Sequence, residues 1–209
     1  MKYTAFKQKV KSFPFFSSSI LGVLSDDTVL LTRQLSTWKK KGLVRSLRRG
    51  LYVLGPQDRE VEPSLFYLAN QMFVPSYVSL ESALAFYGFI PEFVAQTTSV
   101  TSRKTCTFQN DFGRFTFQHV ASRGFGGFDS VRDQNGFATL VATPEKAVID
   151  FLYLNLSKFT PSETRVFEAS YRFQNAGKLK PTRLLNFAKR LESAKLLAVV
   201  RTFIQAVVK

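Results

Sequence analysis

The sequence predicts an α+β protein in two parts. A small N-terminal unit of short helices closes with a hairpin, and a mainly antiparallel sheet with flanking and C-terminal helices follows. Three observations predict this. Apolar residues recur at helical spacing up to about Lys41 and then give way to a hairpin signal. Short alternating runs between Thr97 and Ala142 are separated by local turns, and helix signals return at Thr143.

The first helix is expected over Tyr3 to Lys11, because Tyr3, Phe6 and Val10 fall on one face. Pro14 breaks it. Ser17 is placed to cap a second short helix through about Leu24. A third helix is expected from about Asp27 to Lys41. Its acids Asp26 and Asp27 suit a helix N-terminus, and Leu31, Leu35 and Trp38 form an apolar stripe. Gly42 stands where a helix ends. Leu43–Leu47 and Leu51–Leu54 are strand-prone runs joined by Arg48-Arg49-Gly50, a hairpin signal. Three helices followed by a basic-tipped hairpin make a winged helix-turn-helix over residues 1–55. The polar stretch Gly55–Pro63, with a proline near each end, reads as a linker.

The second unit, 64–209, opens with a helix over "SLFYLANQMF" and an extended turn at "PSYV". Ser79 is the expected cap of a helix ending at Tyr87-Gly88, and Pro91 prevents its continuation. Strands are expected over 97–102, 105–110, 113–120, 127–133 and 136–142. The short turns at "NDFG" and Asn135-Gly136 imply antiparallel pairing. Thr143, Pro144 and Glu145 are a helix start. Three further helices are expected over about Ser162–Asn175, Thr182–Leu191 and Lys195–Val208.

The net charge of +14 is unevenly placed. Residues 1–55 carry 11 Lys/Arg against 2 Asp/Glu, residues 56–150 carry 7 against 10, and residues 151–209 carry 11 against 3. Such blocks point to a polyanionic partner. No apolar stretch is long enough to span a membrane, and the lysine-punctuated N-terminus lacks a signal peptide's apolar segment. A cytoplasmic location is therefore expected.

Within the winged helix, Thr32, Arg33, Ser36 and Thr37 are the candidates for facing a DNA groove. Lys39, Lys40, Arg48 and Arg49 are the candidates for phosphates, and Lys41 and Arg45 complete the DNA-binding set. Trp38 reads as core. With one cysteine and one histidine, Cys106 and His119, neither an intrachain disulfide nor a Cys/His zinc site is available. Cys106 reads as a small buried hydrophobe and His119 as a strand-end residue. Asp111, Asp129, Glu145 and Lys146 could be assembled into a nuclease-like metal set, but Glu145 and Lys146 are already explained by a helix start, and Asp is common in turns. No catalytic residue, metal site or cofactor is expected, and the chain is not read as an enzyme. The tail residues Arg165, Arg172, Lys178, Lys180, Arg183, Lys189, Arg190, Lys195 and Arg201 are either solvated helix faces or a surface for DNA or an acidic protein.

The runs "GLVRSLRRGLYVL", "PSYVSLESALAFYGFIPE", "TSVTSRKTCTFQNDFGRFTFQHV" and "ATPEKAVIDFLYL" resemble AbiEi-type antitoxins, the AbiEi-like transcriptional regulators of abortive-infection (type IV) toxin–antitoxin systems. The resemblance spans roughly residues 3 to 160. It implies an N-terminal winged helix that binds inverted repeats in its own operator DNA as a repressor, with contacts over Thr32–Lys41 and Arg48–Arg49. It also implies a C-terminal α+β domain that counteracts a nucleotidyltransferase-like toxin in phage defence, without requiring direct toxin binding. Two other classes compete with this autoregulator. One is a metal-dependent nucleic-acid-processing enzyme targeted by a winged helix, and the other is a pure protein-interaction module.

Overall fold

Two apolar clusters organise the chain, and the hairpin at residues 44–54 contributes to both. The computed structural model describes residues 1–92 and 94–208, with every side chain among them except that of Glu168. The architecture is α+β. No helix among the described residues is long and apolar enough to cross a membrane.

In the N-terminal unit the order is α1 (Tyr3–Val10), β1 (Phe16–Ser17), α2 (Leu21–Leu24), α3 (Thr28–Lys40), β2 (Val44–Arg48) and β3 (Leu51–Leu54). Phe6 and Val10 of α1 and Leu31, Leu35 and Trp38 of α3 are buried together. The rings of Phe6 and Trp38 lie 4.9 Å apart. Asp27 caps α3, its Oδ1 accepting from the Leu30 amide at 2.8 Å, and Gly42 takes a left-handed conformation (φ 72°) just past the helix. Ser17 does not cap α2. It lies in β1, with Phe16 opposite Tyr52 and Ser17 opposite Leu51, so the small sheet has the order β1-β3-β2. A two-residue strand leaves no periodic pattern to read.

Side chains on β2 and β3 alternate between the two clusters. Val44 and Leu54 join the smaller one, and Leu47, Leu51 and Val53 join the larger. A strand's period of two makes this possible. The hairpin is further clamped to the sheet beyond it, as Asn110 Nδ2 donates to the Leu47 carbonyl at 3.0 Å. The segment from Gly55 to Pro63 folds back on α1. There Asp58 accepts from the Tyr3 hydroxyl at 2.6 Å and pairs with Lys7 at 2.8 Å, while Glu60 pairs with Lys11 at 2.6 Å.

The second unit contains α4 (Leu65–Met72), β4 (Ser76–Val78), α5 (Leu80–Phe86), β5 (Gln96–Thr101), β6 (Cys106–Asn110), β7 (Gly113–His119), β8 (Phe128–Arg132), β9 (Ala138–Ala142) and α6 (Pro144–Leu154). Helices α7 (Pro181–Arg190) and α8 (Ala194–Val207) complete the tail. The sheet order is β6-β7-β5-β4-β9-β8. It is mixed. The local hairpins β6–β7 and β8–β9 are antiparallel, as is β4–β5, but β5–β7 and β4–β9 are parallel. Short turns dictate only the pairing of strands they join, and the centre is closed by β4, which the sequence offers only as an extended turn. The long helix expected over Ser162–Asn175 is absent. A single π turn spans Val166–Ser170, and Arg172 and Asn175 have positive φ. Phe167 and Phe173 both pack on Phe203, at 5.3 and 5.0 Å. Six residues apart, they would sit on different faces of a regular helix.

Candidate nucleic-acid interface

Burying Leu31, Leu35 and Trp38 turns the opposite face of α3 outward. Val29, Arg33, Ser36 and Lys40 recur at i, i+4, i+7 and i+11 along that face, and all four are exposed. Thr32 and Thr37 flank the stripe. Their hydroxyls donate to the carbonyls of Thr28 (2.7 Å) and Arg33 (3.2 Å), which leaves the oxygens free to accept. Val29, 62% exposed, is the member of the face that sequence reasoning missed, although its spacing to Arg33 was there to be read.

The three lysines at the end of α3 are exposed, and Lys39 reaches over the Tyr52 ring on β3, 5.6 Å from its centroid. Arg49 is exposed at the hairpin tip, where Gly50 supplies the left-handed turn (φ 79°). Arg48 is half-buried, with Nη1 donating to the Arg49 carbonyl at 2.9 Å. Arg45 differs from the rest of the candidate set. It pairs with Asp111 of the β6–β7 turn at 2.6 Å, so a phosphate must compete with that carboxylate. The pair is largely exposed, and such pairs contribute about 0–1 kcal/mol.

The residues of the suggested metal set do not come together. Asp111 is engaged by Arg45, Asp129 lies exposed on β8, and Lys146 pairs with Asp150. Glu145 is buried, accepting from the Lys180 amide at 3.1 Å and lying 3.5 Å from Arg183. Among the described residues no three His, Cys, Asp or Glu side chains are grouped to hold a metal. His119 is exposed, with Nδ1 2.9 Å from the Arg103 carbonyl. Cys106 is half-buried, and burial pushes its thiol up.

A buried polar cluster at the start of α6 was not anticipated. Asp150 Oδ2 accepts from the hydroxyls of Tyr77 (2.9 Å) and Ser79 (2.8 Å), and Oδ1 pairs with Lys146. Ser79 precedes α5, but its hydroxyl serves Asp150 rather than the helix end. Burial pushes the Asp150 carboxyl up, against the pull of Lys146, Ser79 and Tyr77. The adjoining cavity, which Lys146 lines, holds only about 10 Å³. The cluster joins β4 to α6. The i, i+4 spacing of Lys146 and Asp150 was visible in the sequence, but their burial was not.

No protein-family model matches the chain, and a search of the curated proteins finds no match.

Proposed function

We propose that this protein is a DNA-binding transcriptional autoregulator, with the N-terminal unit acting as a winged helix-turn-helix. The observation that carries the reading is the outward face of α3. Arg33, Ser36, Thr37 and Lys40 stand opposite the buried stripe, and the β2–β3 hairpin that follows α3 carries Arg48 and Arg49 at its tip. The order helix, strand, helix, helix, hairpin supports it. An exposed amphipathic helix with hydroxyls and cations can enter a major groove, where hydrogen-bonding side chains read base edges and cations hold phosphates. Val29 adds an apolar contact suited to a thymine methyl.

Fluorescence anisotropy with the protein's own promoter and a scrambled duplex, at two salt concentrations, tests this. Promoter-selective binding that weakens steeply with salt is expected. Equal, weak binding to both duplexes would overturn it and favour a protein partner. On the sequence resemblance we extend the reading to an antitoxin of the abortive-infection type. Co-expression with a nucleotidyltransferase-like product of an adjacent reading frame should then relieve growth arrest. Persistent arrest would remove the antitoxin role and leave the repressor role standing.

A further inference from the structure

A groove of about 300 Å³ lies under the hairpin tip, with Arg48, Arg49, Phe73, Val74, Arg103 and Phe108 in its walls. Its arginines come from two separate parts of the chain. Arg48 and Arg49 belong to the β2–β3 turn, and Arg103 follows β5 in the second unit. Among the described residues none of the three pairs with a carboxylate, whereas Arg45, Arg59, Arg123, Arg172 and Arg183 all do.

Arg103 is held in position. Its guanidinium lies 4.4 Å from the Phe73 ring centroid, and Nη1 donates to the Val74 carbonyl at 3.1 Å. Phe73 is itself packed against Phe108, at 6.1 Å. Arg48 Nε is buried with no hydrogen-bond partner. Like charges around one concavity repel, and a buried donor without an acceptor is unfavourable. An anion with several oxygen acceptors relieves both, and the guanidinium fork matches phosphate geometry.

We propose that this groove binds a backbone phosphate of the DNA, so that Arg103 of the second unit completes an interface begun by the hairpin. The inference rests on the DNA-binding reading above. We assign a phosphodiester rather than a free anion because Arg49, in the groove's wall, is exposed and belongs to the hairpin tip of the unit read above as DNA-binding. The contact would fix the second unit on the duplex, with the Asn110 and Arg45 ties holding hairpin and sheet in register.

The test is a salt series of promoter binding for the wild type, R103Q, R103K, the R48Q/R49Q double variant and R201Q. Arg201 is an exposed cation on α8, so R201Q controls for net charge. Losing one phosphate contact should lower the magnitude of the log K against log salt slope by about 0.9 in R103Q. R201Q should leave the slope unchanged. R103K keeps the charge but not the fork, so it should keep the slope and bind several-fold more weakly. It carries the test if R103Q lowers the thermal midpoint. If R103Q and R103K both follow R201Q while R48Q/R49Q weakens binding, the groove proposal falls and the DNA-binding reading stands. If the wild type shows no salt-steep affinity for the duplex, both fall. ATP or inorganic phosphate that stabilises the wild type but not R103Q, with the DNA slope unchanged between them, would assign the groove to a free anion and overturn the proposal.

Discussion

The hairpin tip and the start of α6 both concentrate charge, and they treat it in opposite ways. At the tip, Arg48 and Arg49 stand without a carboxylate among the described residues, in the walls of a groove that Arg103 shares. At α6, Lys146 is 3% and Asp150 0% exposed, and the two neutralise each other with help from Tyr77 and Ser79. The first arrangement leaves favourable interaction energy available to a partner. The second pairs its charges with one another inside the fold. A count of charges does not distinguish them, but burial and pairing do.

The largest effect should come from breaking the buried arrangement. Lys146→Met leaves Asp150 buried and unpaired, and should lower stability by about 3–5 kcal/mol in denaturant titrations. Paired with Asp150→Leu, the loss should shrink well below that of either single change. The pH dependence has a definite sign. A buried carboxyl whose pKa is raised holds its proton more tightly folded than unfolded, so the Lys146→Met protein should lose stability as pH rises through and above the carboxylate range. A loss that does not change with pH would mean Asp150 is not the responsible group.

At the hairpin tip the same kind of substitution should act on binding and leave the fold intact. The R48Q/R49Q double variant should reduce the salt slope by at least about 0.9, because its arginines share the groove phosphate with Arg103. A large drop in thermal midpoint would move these arginines from the interface to the structure.

A smaller effect is expected where the Gly55–Pro63 segment straps onto α1. The Lys7 and Tyr3 hydrogen bonds hold the Asp58 carboxyl below its usual range, and burial with Asp58 pushes the Tyr3 phenol up. A depressed folded pKa stabilises above the unfolded value and loses that contribution as pH falls through the folded one. Asp58→Asn should therefore cost about 1–2 kcal/mol near neutrality and nothing below both values. Equal losses at pH 7 and pH 2 would assign the effect to shape rather than charge.

The smallest effect is expected in the basic tail. Lys189→Gln with Lys195→Gln removes two exposed cations from α7 and α8 and should leave the salt slope of promoter binding unchanged. A fall in slope as large as that at the hairpin tip would extend the DNA surface to the tail helices.

Much of this arrangement could be read from local chemistry. The cap at Asp27, the stripe Leu31, Leu35 and Trp38, and Gly42 bound α3 within a residue or so. The runs around Arg48-Arg49-Gly50 set the hairpin, and Pro144 starts α6. Each signal depends on neighbours a few residues apart, which a sequence displays directly. Tertiary structure alone decided what depends on distant partners. Strands β1 and β4 are too short to show a period and exist because Phe16 meets Tyr52 and Tyr77 meets Val100. The parallel pairings and the broken helix around Val166 follow from packing against strands and rings far along the chain. Burial of Lys146 with Asp150, the tie of Arg45 to Asp111, and the meeting of Arg48 and Arg49 with Arg103 arise only when separate elements close on one another. Their energies come from desolvation and long-range contact, and neither is written in local spacing.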